Sequence, residues 1–150
     1  MTDTLTSDDE QLIEAARDVI RDAFVHGTHY VGSALRTTSG DVHTGVHVEA
    51  NVGRASVCAE PVTLGTAVAN GVKGEDIDTI VSVRHPGPAE DEDEIKVVSP
   101  CGVCREIISD VNPQMAVIYP GDDGELTKSA AIDLLPSKYV QSYRDVHLEG

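Results

Sequence analysis

The sequence predicts an α/β fold, a three-layer α-β-α sandwich with a mixed five-stranded sheet. Three observations lead to this prediction: an amphipathic helix at the start, β-branched runs bounded by turn residues, and two later helical segments between the runs. Strands and helices that alternate along a chain pack as a sheet covered by helices. The 150 residues are predicted to form one domain over 1–150, which can bury about 70% of the surface of the unfolded chain.

The first half of the chain is predicted to contain a helix, a hairpin and a second helix. Residues 7–10 have the Ser-x-x-Glu form of a capping box, which predicts a helix from about residue 8 to residue 24. Two β-type runs, 30–36 and 42–48, flank a turn and predict a hairpin. Residues 58–70 are rich in small apolar residues, so we expect a tightly packed helix there.

The second half adds three short strands and one more helix. β-branched runs predict strands at 77–83, 95–98 and 115–119. Pro100 is expected to open a helix that reaches about residue 111, because a proline in the first helical turn removes no hydrogen bond. The segment 130–135 is predicted to form a short helix or strand that packs on an edge.

The composition is strongly acidic, with 26 Asp and Glu against 11 Lys and Arg, a formal net charge of -15 and a pI near 4.5. A surface of that sign repels nucleic acid and anionic lipid, so neither is an expected partner. The lysines are few, which suits a protein from a salt-rich, halophilic source, since high salt screens self-repulsion. An ordinary acidic protein is the alternative.

The start of the chain lacks both a basic region and an apolar run, so we do not expect residues 1–9 to be a signal peptide. No stretch approaches the ~18 apolar residues that a membrane-spanning helix needs. We therefore expect a cytoplasmic protein. In that reducing compartment, three cysteines are more naturally metal ligands or reactive thiols than disulfide partners.

Two of the cysteines, Cys101 and Cys104, are three positions apart at a predicted helix start, which puts both side chains on one face. Cys58 stands at the start of another predicted helix, with Glu60 two residues later. Three thiolates leave one position of a tetrahedral zinc ion open to water, and a neighbouring carboxylate can move the protons of that water. Three buried thiols that bind no metal are the alternative.

The motifs Cys58-Ala59-Glu60 and Pro100-Cys101-x-x-Cys104 match the signature of zinc deaminases. With "YVGSALRTTSG", "GVHVEANVGRASVCAE" and "SPCGVCREI" in this order, the sequence resembles the small single-domain zinc-dependent cytidine deaminase family over nearly its whole length. "CAEPVTLGTA", "SPCGVCR" and "LLPSKYV" give it a closer likeness to the blasticidin S deaminase branch. The resemblance implies a cytidine deaminase-like fold.

The resemblance also implies the roles of the residues around the metal. Cys58, Cys101 and Cys104 bind Zn2+, and Glu60 is the catalytic residue that moves protons between water and the base. The resemblance assigns two contacts to the base, the backbone amide of Ala59 and the backbone carbonyl of Ser99.

Three further residues take roles from the same resemblance. Arg105 is expected to hydrogen-bond a zinc thiolate and draw off negative charge, with a surface salt bridge as the alternative. Ordinary members carry Asn-x-Glu before the zinc helix, where this chain has His47 and Glu49. Both are predicted to contact the sugar. A structural histidine and an exposed carboxylate are the alternatives.

The predicted activity is the zinc-dependent hydrolytic deamination of cytidine or 2'-deoxycytidine to the uracil nucleoside and ammonia, for pyrimidine salvage. Two alternatives stay open: a deaminase of a modified cytosine nucleoside such as blasticidin S, and a non-catalytic zinc-stabilised binding module. The resemblance implies a homotetramer, and a small-molecule nucleoside is the expected partner.

Overall fold

The computed structural model describes residues 4–141. In this range the chain forms three α-helices and six β-strands, joined by loops and short 3-10 turns. The elements are α1 (Ser7–Ala23), β1 (Val31–Thr37), β2 (Val42–Val46), α2 (Ala59–Ala69), β3 (Ile77–Arg84), β4 (Lys96–Val98), α3 (Gly102–Val111), β5 (Ala116–Pro120) and β6 (Leu126–Ala130), with 3-10 turns at Gly53–Ala55, Gly74–Asp76 and Ala131–Leu134.

The strands form one mixed sheet in the order β2-β1-β3-β5-β6, and β4 pairs with β3 beside this path. The β3–β5 pair is parallel, and the other pairs are antiparallel. β4 pairs with the last residues of β3, beyond the point where β5 pairs with it. The predicted mixed sheet between helices is confirmed. β6 was not predicted as a strand, because its sequence LTKSA has little apolar character and depends on pairing with β5.

Two layers of helices cover the sheet. On one face α1 packs through an apolar stripe against β1, β3, β4 and β5, and on the other face α2 and α3 pack side by side. The two cores share no residue. The first contains Leu12, Ile13, Ala16, Ile20, Ala34, Val81, Val83, Ile95, Val97 and Ile118, and the second contains Leu35, Leu64, Ala67, Ile77, Ile80, Cys104, Ile108, Met115, Val117 and Ala131.

Glycines let the helices approach the hairpin closely. A Cβ on Gly45 of β2 would lie 2.7 Å from Oγ1 and 2.9 Å from N of Thr63 in α2. A Cβ on Gly32 of β1 would lie 2.7 Å from the Ala16 carbonyl oxygen in α1. Only hydrogen atoms fit at these two contacts. The expectation that α2 is tightly packed is therefore confirmed.

Two predicted helix starts are corrected by the structure. The N-cap of α1 is Thr6 rather than Ser7, and its capping box pairs Thr6 with Asp9 instead of Ser7 with Glu10. Asp9 points inward to other partners, which fixes this register. Pro100 lies before α3 rather than inside its first turn, because Cys101 is the extended N-cap residue and the helix begins at Gly102.

Asp9 is the centre of a buried ionic cluster on the α1 face. Its carboxylate accepts hydrogen bonds from Arg36 of β1 (3.1 Å) and Lys128 of β6 (2.7 Å), as well as from the backbone N–H of Thr6 (3.0 Å). Arg36 also donates to Asp78 at 2.9 Å. These bonds tie the start of α1 to two strands that are not neighbours in the sheet.

Within residues 4–141, none of the helices combines the length and the apolar character that crossing a membrane requires.

Candidate active site

The candidate site is a pocket of about 240 Å³ at the point where α2 and α3 begin. It lies beside the hairpin end that leads from β2 into α2. Its wall is largely apolar, with two thiols and two carboxylates among its polar members. The lining residues are Tyr30, Val31, His47, Glu49, Ser56, Val57, Cys58, Ala59, Glu60, Val98, Ser99 and Cys101.

Strand pairing brings the two helix starts together. Val48 and Val57 form a bridge beyond β2, with two backbone hydrogen bonds of 2.9 Å, so the chain enters α2 next to the hairpin. Val98 of β4 pairs with Ser82 of β3, which delivers the chain to the start of α3. Cys58 and Cys101 are the N-cap residues of α2 and α3. Their thiols therefore lie at the positive ends of two helix dipoles.

The three cysteine sulfurs converge. The Sγ atoms of Cys58 and Cys101 are 3.6 Å apart, and all three Sγ atoms, including that of Cys104, lie within 4.8 Å of one another. Tetrahedral Zn–S bonds of about 2.3 Å place sulfur atoms about 3.8 Å apart. The donor set thus fits a zinc ion in number, element and spacing, and the predicted metal group is confirmed.

The protonation chemistry of the thiols also suits a cation. Burial raises the pKa of Cys101, but backbone N–H groups of Cys104 and Val103 and the two neighbouring thiols outweigh burial, and the pKa is lowered. Burial raises the pKa of Cys58, and burial together with the charge of Glu60 raises that of Cys104. Ionising all three thiols together is therefore costly, and a divalent cation among them offsets that cost.

Glu60 lies in the first turn of α2 and is 5% exposed. Burial raises the pKa of Glu60, and its own backbone N–H, the Ser82 hydroxyl and Cys104 oppose that effect only in part. Among the described residues, no Lys, Arg or His side chain forms an ion pair with Glu60. A carboxylate in such surroundings holds and releases a proton more readily than an exposed or ion-paired one.

The four residues predicted to contact substrate all line the same pocket: His47, Glu49, Ala59 and Ser99. Ala59 is the first residue of α2, and Ser99 follows β4 directly. The backbone groups of these two residues are thus placed by the same strand-to-helix junctions that place the cysteines. His47 and Glu49 follow the end of β2 and line the same pocket.

Arg105 has different partners from the predicted one. Its Nε donates to the Pro100 carbonyl at 2.9 Å and its Nη1 to the Leu134 carbonyl at 3.0 Å. In the part of the chain that the structure describes, no hydrogen bond joins Arg105 to a cysteine sulfur. Within residues 4–141 neither carbonyl accepts a backbone N–H, so the guanidinium is their donor, and Arg105 thereby ties the turn before α3 to the segment after β6.

Tyr30 and Ser82 are among the residues at the site that were not predicted. Tyr30 supplies an aromatic wall, and its ring meets that of His47 at 4.1 Å between centroids. Ser82 of β3 reaches Glu60. Nothing in the sequence distinguishes Ser82 from other small residues of a buried strand, because its proximity to Glu60 depends on how β3 packs against α2. Tyr30 is the first residue of the predicted β-type run 30–36, and its aromatic ring was the only available signal.

Residues 6–119 match a protein family described as the cytidine and deoxycytidylate deaminase zinc-binding region. This segment contains all three cysteines and Glu60. The chain belongs to this deaminase family. The predicted family and fold are confirmed, and with them a deaminase of the hydrolase class whose three cysteines form the zinc site.

Relatives in this family match nearly the whole chain. A blasticidin-S deaminase from Bacillus cereus is 43% identical over 141 residues, which are 94% of this chain and 99% of the relative. A cytidine deaminase from Sporosarcina psychrophila is 28% identical over 134 residues, 88% of this chain and 91% of the relative. The blasticidin-S deaminase and the cytidine deaminase thus each match most of this chain.

Solved structures of the family agree with the fold. The cytidine deaminase from Burkholderia pseudomallei superimposes with a TM-score of 0.70 at 30% identity and covers 87% of this chain and 98% of its own. The cytidine deaminase from Bacillus anthracis superimposes with a TM-score of 0.72 at 18% identity, covering 96% and 97% of the two chains. At 18% identity the second likeness concerns the fold alone.

Proposed function

We propose that this chain catalyses the hydrolytic deamination of a cytosine nucleoside, with cytidine and 2'-deoxycytidine as substrates. The observation that carries the proposal is the convergence of three cysteine thiols beside a pocket that is lined by two of them and by the buried Glu60, which forms no ion pair within residues 4–141. A closed structural zinc site has four protein ligands and no use for a neighbouring proton carrier. Three sulfurs beside Glu60 support a catalytic site instead.

The cysteines hold the metal, and Glu60 handles the protons. Cys58, Cys101 and Cys104 would hold a zinc ion, and such an ion would supply a water activated for nucleophilic attack near neutral pH. The carboxylate of Glu60 takes the two protons of the attacking water in turn and delivers the first to N3 of the base and the second to the departing amino group. Water and a cytosine nucleoside thus give a uracil nucleoside and ammonia, with no oxidant or reductant involved.

The backbone at the two helix starts binds the base. The N–H of Ala59 and the carbonyl of Ser99 offer a donor and an acceptor that suit the carbonyl and amino groups at the edge of a cytosine ring. Tyr30, Val31 and Val57 give this part of the pocket an apolar wall on which a flat base can stack. On the other wall, Glu49 accepts a hydrogen bond from the sugar side of the substrate.

Blasticidin S, a modified cytosine nucleoside, is the second candidate substrate. The observation that favours it is the 43% identity to the Bacillus cereus blasticidin-S deaminase, against 28% to the Sporosarcina psychrophila cytidine deaminase over a similar span. The ring chemistry and the roles of Cys58, Cys101, Cys104 and Glu60 are the same for both substrates. The two substrates differ only in the groups that they present to the sugar side of the pocket.

The deciding experiment is an ammonia-release panel of cytidine, 2'-deoxycytidine, cytosine, blasticidin S and adenosine, with zinc measured on the same preparation. We expect turnover of at least one cytosine nucleoside and none of adenosine. The ratio of kcat/KM for cytidine to that for blasticidin S then ranks the two candidates. Zinc binding without ammonia from any compound would leave the non-catalytic binding module as the better description.

We also propose a setting for the enzyme: a single-domain cytoplasmic protein of pyrimidine salvage that assembles as a homotetramer and tolerates high salt. The net charge of -15 supports salt tolerance. Valines on the surface near the pocket, Val52 (54% exposed) and Val103 (66% exposed), support association between subunits. Light scattering at low and high ionic strength tests the assembly and its salt dependence, and a monomer in both would refute the tetramer.

A further inference from the structure

His47 is a buried histidine, 6% exposed, in the wall of the pocket. The backbone holds it on both sides: its own N–H donates to the Val31 carbonyl at 2.9 Å, and its carbonyl accepts a hydrogen bond of 2.8 Å from Nδ1 of His29. The ring packs edge-on against Tyr30. Side chain and backbone are thus fixed before any substrate binds.

Both ring nitrogens of His47 are occupied by groups of this chain. Nδ1 lies 3.0 Å from the backbone N of Tyr30 and 3.2 Å from that of Val31. Two N–H groups point at this atom, so Nδ1 must be the acceptor and a neutral ring carries its hydrogen on Nε2. Nε2 lies 3.2 Å from Oε2 of Glu49 and is therefore the donor of that hydrogen bond.

We propose that His47 is a positioning residue for Glu49 rather than a ligand of the substrate. The proposal rests on the proposed function only in taking Glu49 as the group that meets the sugar side of the substrate. The backbone N–H groups of Tyr30 and Val31 fix the ring and its tautomer, and the Nε2–H of the ring then fixes one oxygen of Glu49. The Glu49 side chain is 36% exposed and has no other hydrogen bond among the described residues, so His47 is what restrains it.

This arrangement defines the substrate chemistry on that side of the pocket. His47 has no free donor or acceptor left, and a carboxylate only accepts hydrogen bonds unless protonated. A substrate must therefore present a donor to Glu49, such as a hydroxyl, amide N–H or ammonium group. A sugar whose matching position carries only an acceptor, such as an ether oxygen, leaves the carboxylate unsatisfied and is disfavoured.

A double-mutant cycle of His47→Asn and Glu49→Ala tests the positioning role. The shorter asparagine still offers an oxygen to the Tyr30 and Val31 N–H groups but does not reach Glu49. We expect His47→Asn to lower kcat/KM for the best nucleoside on the order of tenfold, mainly through KM, and to have no further effect once Glu49 is alanine. His26→Asn, at an exposed histidine outside the pocket lining, is the matched control and should change nothing.

If His47 instead touched the substrate, the two substitutions would lower kcat/KM independently, and their effects would multiply. Multiplicative effects, or an unchanged kcat/KM in His47→Asn, would overturn the proposal.

A second measurement works on the zinc-loaded wild-type protein without substrate. Nitrogen-15 NMR of the histidine side chains should find His47 neutral, with Nε2 protonated and Nδ1 bare. A protonated Nδ1 or a mixture of tautomers would contradict the positioning role of His47, even if the variants failed to fold. Failure of the proposed function would show differently, as no ammonia from any nucleoside while the His47 tautomer remained as described.

Discussion

Two buried carboxylates on opposite faces of the sheet have opposite surroundings. Asp9, on the α1 face, is 0% exposed and accepts hydrogen bonds from two cationic side chains. Glu60, on the face covered by α2 and α3, is 5% exposed and lies beside thiols and a serine hydroxyl. Burial raises the pKa of both groups, but only in Asp9 do Lys128, Thr6 and Arg36 outweigh burial and lower the pKa to about 2.

The comparison shows that burial does not define the role of a carboxylate, whereas its partners do. An acid held by cations stays ionised near neutral pH and serves to tie elements together, so it is of no use there as a proton carrier. An acid buried without cations is suited to exchange protons, and it contributes little to holding the fold. The following predictions test this division, from the largest expected effect to the smallest.

The largest effect is expected from Glu60→Gln. The amide keeps the size of the side chain but carries no exchangeable acid proton, so ammonia release should fall by about 100-fold or more. Zinc content and thermal unfolding should match the wild type. If the variant retained turnover, Glu60 would have no part in the chemistry, and the contrast with Asp9 would not hold.

Cys104→Ser should nearly abolish zinc binding. Cys104 is 0% exposed and supplies one of the three sulfurs, and a buried hydroxyl is a poor replacement for a thiolate ligand. We expect metal analysis to show most of the zinc lost and chelators to remove the rest. Val103→Ser, at the exposed neighbouring position, should keep its zinc. A Cys104→Ser protein with full zinc would mean that the ion has other ligands.

Asp9→Asn should weaken the fold without touching catalysis. Removing the charge leaves Lys128 partly buried without its counter-ion and leaves Arg36 with Asp78 alone, which costs about 3 kcal/mol in the free energy of unfolding. Urea unfolding measures the loss, and kcat/KM under native conditions should equal that of the wild type. An equal loss of kcat/KM in a folded Asp9→Asn protein would show that the two faces are coupled.

Acid should destabilise the protein through Asp9. The pKa of Asp9 in the folded state is about 2, below its ordinary 3.8, so its contribution is complete above pH 4 and is lost as the pH falls through about 2. The loss amounts to about 2 kcal/mol, to be measured by urea unfolding at successive pH values. The Asp9→Asn variant should lack this part of the acid sensitivity; the same slope in both proteins would assign it elsewhere.

The smallest effect is expected from Arg21→Ala, which breaks an ion pair with Asp18 on the surface of α1. Both side chains are more than half exposed, so water already satisfies each charge. Unfolding free energy should change by less than about 0.5 kcal/mol. A larger change would mean that ion pairing stabilises α1 irrespective of burial, which would weaken the comparison between Asp9 and Glu60.

Much of the fold and of the metal site could be predicted from local sequence. The hairpin, both helix starts at cysteines and the strands β3, β4 and β5 follow from short-range patterns, because turn chemistry and apolar periodicity act within a few residues. The register of the α1 cap was predicted one residue too late. Its true register depends on Asp9 reaching Lys128, which is 119 positions away.

The role of His47 shows the same limit inside the site. The sequence placed it next to Glu49 and left open whether it contacts the sugar or serves the structure. The strand register decides between these, since residues 16 and 17 positions away supply the two N–H groups that occupy Nδ1. No local pattern contains that pairing.

By itself, the sequence determined the chemical inventory: three thiols, one acid beside the first of them, and helix starts that favour negative charge at two of the cysteines. It also determined the strongly acidic surface. Tertiary structure alone decided which buried groups meet cations, which nitrogen of His47 is bare and where Arg105 donates. The physical reason is range: propensity and spacing act over a few residues, whereas the surroundings of a buried polar group depend on packing between distant segments.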